Sequence, residues 1–243
     1  MNERIKIEQL VNLVIMIAGF ALILIGATVV RLNTAAQTVV LSLGASLVAS
    51  AVVAFLSSFY IKKYQHASLL SESWGIASIE ERRANMNIRI DAEERKARNQ
   101  IDIIAFGLKS LREGNTSVIE DCLRRNVKIR IITVGPENDN LAVRDLEEKK
   151  VSGSTRESIL QLAEWCRKLD SMFPGRIQLK YSNTIPKEFY NRVDDHIFVG
   201  PYQYGKESQQ TITTEYRSPG SAFVYYADYF EQLWADEKYC HEA

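Results

Sequence analysis

Histidine and cysteine are scarce in this chain, and net charge is absent. The 243 residues hold three histidines, His66, His196 and His241, and three cysteines, Cys122, Cys166 and Cys240. Three scattered histidines argue against a multi-histidine metal site. The cysteines are odd in number, far apart and without a CxxC pair. They supply neither a disulfide framework nor a zinc pattern, and they fit a reducing compartment. Thirty basic residues balance thirty acidic ones, whereas a chain-wide binder of polyanions needs a basic surplus. Also missing are GxGxxG, the P-loop, GxSxG and HExxH, the signatures of dinucleotide, phosphate, serine-hydrolase and zinc-protease sites. The expectation is no metal and no cofactor.

Apolar residues make up 46% of the chain and charged ones 25%, which excludes a disordered polypeptide. The apolar ones crowd into the first quarter. Leu10 to Val30 (LVNLVIMIAGFALILIGATVV) is uncharged. Its length of about 21 residues makes roughly 31 Å of helix, the thickness of a bilayer core. Thr38 to Ile61 is a second uncharged run, after the short polar loop RLNTAAQ. Glu3, Glu8 and the second run argue against a cleaved signal peptide. Arg4 and Lys6 precede the first span, Lys62 and Lys63 follow the second, and the loop carries only Arg31. The positive-inside rule then places both termini in the cytoplasm. Residues 1–61 are thus expected to form a transmembrane helical hairpin.

Small and hydroxyl residues recur within the spans. Ser42, Ser46, Ser50 and Ser58 continue a stripe of spacing four with Thr38 and Ala54, and Asn12, Gly19 and Gly26 recur at spacing seven. Two readings stay open: close packing in a hairpin or dimer, or a hydroxyl stripe that lines water inside an oligomer. A buried asparagine in a span is costly and points to function.

Residues 62–100 read as a charged helical connector. Ile79 to Gln100 is predicted as one helix with a narrow seam of Ile79, Met86, Ile90 and Ala97. The seam docks on the chain's own domain or pairs with a copy. Arg82, Arg83, Arg95, Lys96 and Arg98 interleave with Glu80, Glu81, Glu93 and Glu94, as expected of a solvated face.

Residues 101–243 alternate strands and helices. Strands are predicted at Ile101–Leu108, Val127–Val134, Ile177–Tyr181, Phe189–Val193, His196–Val199 and Thr211–Arg217. Helices are predicted at Thr116–Arg125, capped by Thr116 or Asn115, and at Asp139–Lys150, Thr155–Met172 and Ser221–Trp234. This order implies an α/β fold with parallel pairing among the early strands. A site is expected at strand carboxyl ends, near Gly107–Ser110 and Thr133–Pro136. Cys122 and Cys166 read as core, and His196 as a strand histidine held by its neighbours.

The stretches DIIAFGLKSLRE, VKIRIITVGPEN, EWCRKL, RVDDHIFVGPYQYG, SQQTITTEY and YYADYFEQLW resemble a bacterial phospholipase-D-like domain. The resemblance implies an α/β sandwich with an HxKxxxxD motif. Aligning Asp194 with the motif aspartate puts Lys187 in the place of the histidine and Phe189 in the place of the lysine. The histidine nucleophile that takes the phosphoryl group is then absent, which implies a non-enzymatic domain. The layout of a two-span hairpin plus a cytosolic domain resembles the membrane effectors of bacterial anti-phage systems, CBASS and some retrons among them. It implies a two-pass protein of the bacterial inner membrane, in contact with lipid and assembling as a homo-oligomer. It also implies a trigger such as a reverse transcriptase with its nucleic acid, or a nucleotide second messenger. A membrane-anchored scaffold and a phospholipase-D-type phosphodiesterase are the alternatives. The expected ligand pocket holds Ser110, Thr133, Arg192, Asp194 and Tyr202, with Arg192 serving as a bidentate anion contact or pairing with Asp194 or Asp195.

Overall fold

The computed structural model describes residues 2–28 and 34–243, and within these all side chains except those at 2–9, 59, 61–67 and 70. Arg31, and the side chains of Arg4, Lys6, Lys62 and Lys63 on which orientation rests, lie outside the described residues. The chain divides into two units, Met1–Leu70 and Ser71–Ala243.

Long uncharged runs without proline propagate as helix. The first unit accordingly holds α1 (Asn2–Thr28) and most of α2 (Thr34–Trp74). Leu10–Thr28 and Thr34–Ser58 are long and apolar enough to cross a membrane. Leu24 and Val53 are each 63% exposed, so the outward faces are apolar, as lipid requires and water does not favour. Glycine lets the two helices meet. A Cβ at Gly19 would lie 2.8 Å from Val48 Cγ2, and one at Gly44 would lie 2.7 Å from Ile23 Cγ1. Gly26 is buried in the same contact, against Leu41. Ser42, Ser46 and Ser50 are exposed on α2, while Asn12 and Ser58 are half-buried.

The second unit is a mixed eight-stranded sheet. Its strands are β1 (Ile76–Glu80), β2 (Gln100–Ile104), β3 (Lys128–Val134), β4 (Ile177–Ser182), β5 (Glu188–Val193), β6 (His196–Pro201), β7 (Thr213–Arg217) and β8 (Cys240–Glu242). The spatial order is β1-β7-β6-β5-β2-β3-β4-β8. β2, β3 and β4 are parallel, and every other pairing is antiparallel. The helices are α3 (Arg83–Glu94), α4 (Lys109–Gly114), α5 (Thr116–Arg124), α6 (Leu141–Glu147), α7 (Ser154–Met172) and α8 (Ser221–Ala235).

Strand alternation sorts side chains to two faces. Ile101, Ile103, Ile129 and Ile131 pack with Met86, Ile119, Cys122 and Leu162 beneath α3, α5 and α7. Ile104, Ile132, Tyr190 and Ile197 pack with Phe223 and Phe230 of α8. Both faces are covered, as parallel strands demand.

The expected 79–100 helix is corrected. Its first part is strand β1, which pairs with β7 from Ile76 opposite Tyr216 to Glu80 opposite Thr213. Ile79 is exposed, whereas Met86, Ile90 and Ala97 are buried against the domain. Residues 76–94 therefore belong to the second unit rather than to a connector. The expected cap on α5 is also replaced. Asn115 Nδ2 donates to Asp91 Oδ1 at 2.5 Å, and the Thr116 hydroxyl donates back to Arg112 O.

Candidate functional site

A cavity of about 460 Å³ opens between α3 and the sheet, at the carboxyl end of β2. The chain leaves β2 through Gly107, where a Cβ would stand 1.8 Å from Ser158 Oγ of α7. Only glycine lets the loop pass so close. Leu108 follows in the left-handed region (φ 47°, ψ 39°), a strained backbone for a branched residue. Lys109 and Ser110 then open α4 on the rim of the cavity.

The helix α3 contributes Arg83, Asn87, Asp91 and Glu94 to the wall, and β5 contributes Phe189 and Asn191. Arg83 is 7% exposed. Its guanidinium sits 4.4 Å above the Phe189 ring and 5.9 Å from that of Tyr202, a cation–π setting. Among the described residues it has no carboxylate partner. Its buried neighbour Arg144 is different: it pairs with Glu147 and Glu148 and lies over Tyr202 at 4.8 Å. Lys150 also pairs with Glu148, and Lys109 lies 4.0 Å from Glu113.

Farther along α3, Glu94 is 1% exposed. Asn191 Nδ2 donates to its Oε1 at 3.1 Å, while Glu94 Oε2 and Asn191 Oδ1 are buried without a partner among the described residues. Burial pushes the Glu94 carboxyl up to about 7; the Asn191 hydrogen bond opposes the rise and Asp91 adds to it. Tyr202 lies edge-on to Phe106, with ring centroids 4.9 Å apart, and burial pushes its phenol up. Gln209 bridges the rim, donating to Ser110 Oγ at 3.5 Å and accepting from Asn87 Nδ2 at 2.9 Å. Neither histidine nor cysteine lines the described wall. The thiols of Cys122 and Cys166 sit in the core, where burial pushes them up to about 11 and about 12. The arrangement is suited to holding a ligand.

Ser110 and Tyr202 are brought together at this cavity, and the other three expected residues are not. Thr133 is fully buried on β3, its hydroxyl donating to Phe106 O at 3.1 Å. Arg192 points to the α8 face, over the Phe223 ring at 5.2 Å. Its Nη1 lies 3.9 Å from Asp102, and its Nε donates to the Asp194 carbonyl at 3.0 Å. The expected pairing with the Asp194 or Asp195 carboxylate is thus replaced by Asp102. Asp194 turns the β5–β6 hairpin at φ 49° and accepts from the backbone N–H groups of Arg98, Asn99 and Gln100. That binds it into the turn. His196 donates from Nδ1 to Glu215 Oε1 at 2.9 Å.

The sequence groups Arg83 and Glu94 with the solvated charges. The signal that separates them is spacing. Arg83 precedes Met86 by three residues and Glu94 follows Ile90 by four, so both sit on the apolar seam itself. Phe189 and Asn191 carry no local signal.

No family model matches the chain, and no curated protein matches it in sequence. In chain trace it is similar to TrmBL2, an archaeal chromatin protein with a novel mode of DNA binding, at 13% identity over 84% of this chain and 69% of that one (TM-score 0.44). It is also similar to phosphatidylserine synthase from Haemophilus influenzae Rd KW20, at 10% identity over 65% of this chain (TM-score 0.49). This chain spans 37% of the length of that synthase. A third similarity is to NucT from Helicobacter pylori, at 13% identity over 68% of this chain and 98% of that one (TM-score 0.41).

Proposed function

We propose that this chain is a non-enzymatic membrane effector, acting in bacterial anti-phage defence. Its α/β domain senses a ligand or partner, and its two apolar helices assemble with those of other copies to permeabilise the inner membrane. The observation that carries the reading is the make-up of the cavity. Where the phospholipase-D resemblance calls for histidine and lysine stand Lys187, exposed and outside the wall, and Phe189, stacked beneath Arg83. A primary amine at neutral pH is protonated and is no substitute for an imidazole nucleophile. The outward-facing hydroxyls of Ser42, Ser46 and Ser50 support assembly between hairpins, because an apolar anchor has no use for them.

Induced expression of the full chain in bacterial cells tests this, with membrane fractionation, dye uptake and membrane potential as readouts. The wild-type chain is expected in the membrane fraction and depolarises the cells. Ser46→Leu/Ser50→Leu is expected to stay in the membrane without depolarising them. Equal behaviour of the two would make the spans interchangeable tethers of a scaffold. Hydrolysis of a model phosphodiester by the detergent-solubilised chain would turn the reading toward an enzyme.

A further inference from the structure

We infer that the cavity beside α3 is a receptor for a small organic anion bearing hydroxyl or amino donors. Its anionic group docks on Arg83, and its donors dock on Glu94 and Asn191. This rests on the sensing reading above and names its ligand class.

Polar groups at the two ends of one cavity lack a counter-charge or a hydrogen-bond partner among the described residues. Arg83 is a buried guanidinium held by the Phe189 and Tyr202 rings and by a side-chain hydrogen bond with Tyr202, with no carboxylate among the described residues. At the other end, Glu94 Oε2 and Asn191 Oδ1 are buried with no hydrogen-bond partner among the described residues. A fold does not keep such groups for stability, since an unpaired buried polar atom is destabilising. Nor can the two ends satisfy each other. Arg83 is placed against Phe189 and Glu94 against Asn191. Arg83 and Glu94 are the first and last residues of α3, about 16 Å apart along the helix axis. The space between belongs to a cavity of about 460 Å³, within the usual range for small-molecule sites and far beyond one water. An uncharged polyol would satisfy the oxygens of Glu94 and Asn191 and leave Arg83 without a counter-charge. An inorganic anion would do the reverse. A molecule with an anionic group at one end and donors at the other satisfies both ends.

The test uses the full chain in detergent micelles, with calorimetry and tryptophan-detected melting. All three tryptophans, Trp74, Trp165 and Trp234, lie in the second unit. The probes are glucose 6-phosphate and adenosine 5′-monophosphate, their uncharged parents glucose and adenosine, and inorganic phosphate. At least one ester is expected to bind about tenfold or more tighter than its parent and than phosphate. Which ester wins distinguishes a sugar-like head from a base-like one. Arg83→Met is expected to weaken that binding about tenfold to a hundredfold, beyond any change in the melting temperature of the unliganded chain from its lost contacts with Phe189 and Tyr202. Ser110→Trp, at the exposed rim, keeps the core intact and is expected to block binding. The inference is overturned if neither ester binds, if a parent or phosphate binds as well as the ester, or if either variant retains the affinity. Binding is read separately from depolarisation. A chain that binds the ester and never depolarises cells keeps this inference and loses the effector reading.

Discussion

Glu94 and Glu215 are both 1% exposed, yet they live in opposite electrostatic surroundings. Glu215, on the edge-side strand β7, accepts from Ser78 Oγ at 2.8 Å, Arg89 Nη2 at 2.6 Å, His196 Nδ1 at 2.9 Å and Arg217 Nε at 3.1 Å. Burial pushes its carboxyl up, and those donors outweigh the push, holding it below the usual carboxylate range. Glu94, at the cavity, accepts one side-chain hydrogen bond from Asn191 and keeps an empty oxygen. Burial outweighs that one bond and the nearby Arg95 charge, and the carboxyl rises to about 7. Depth alone therefore does not distinguish a structural carboxylate from one in a binding site. The number of filled lone pairs does.

The sharpest way to break this comparison is to delete the satisfied carboxylate. Glu215→Ala leaves two arginines, a histidine and a serine without their shared acceptor. It is expected to lower stability by about 3–5 kcal/mol. Tryptophan-detected urea unfolding in detergent reads this, and an unshifted midpoint would show that the cluster is decorative.

The pH dependences of the two residues should run in opposite directions. Glu94 stays protonated in the fold up to about 7, whereas the unfolded chain ionises it from 4.5. The native state then binds the extra proton between those values, so stability falls as pH rises through that window. The fall is at most about 3 kcal/mol. Asp91 on α3 and Arg95 just past its end are the charged neighbours that shape it, and Cys122 of α5 faces it as a thiol that burial keeps protonated. Glu94→Gln is expected to flatten this slope, and an unchanged melting-temperature profile from pH 4.5 to 7 would count against the assignment. Glu215, with its lowered value, contributes stability above its unfolded pKa and loses it as pH falls into the acid range. Glu215→Gln should blunt acid unfolding specifically.

The same contrast between engaged and waiting groups runs through the two apolar N-terminal helices. Gly19 is in the α1–α2 contact, where a Cβ would meet Val48 Cγ2 at 2.8 Å. Gly19→Leu should loosen the hairpin, by about 1–3 kcal/mol of overpacking, seen as slower migration on detergent gels. Ser46 and Ser50 face outward, so leucine there leaves hairpin migration unchanged. Loss of depolarisation in the double serine variant then reports contacts between copies, while the same loss in Gly19→Leu reports the hairpin. The smallest effect is expected for Arg192→Ala. Its 3.9 Å approach to Asp102 is long, and Arg130 already holds that aspartate through bonds of 2.7 and 3.0 Å. Stability should change by about 1 kcal/mol or less, with ligand affinity in the cavity untouched. A loss of affinity in calorimetry would move the site to the other face of the sheet.

By itself the sequence determined what depends on near neighbours along the chain. Two uncharged runs had to be helices with apolar exteriors, because their composition and length leave no other stable state in lipid. The α7 and α8 helices and the strands β3 to β6 were legible from periodicity and from breakers such as Gly135-Pro136 and Pro174-Gly175. The burial of Cys122 and Cys166 followed from their helix faces. Tertiary structure decided what depends on distant partners. Ile76–Glu80 is a strand because Thr213–Tyr216 lies beside it, and Cys240–Glu242 is one because β4 offers an open edge. Only the fold sends Arg192 to the α8 face and ties Asp194 into a turn. It also turns Arg83 and Glu94, two charges in a charged helix, inward onto Phe189 and Asn191. Periodicity reports which face a residue occupies. Whether a buried charge there meets a partner or an empty cavity is settled by residues about a hundred positions away, whose placement exists only once the sheet has assembled.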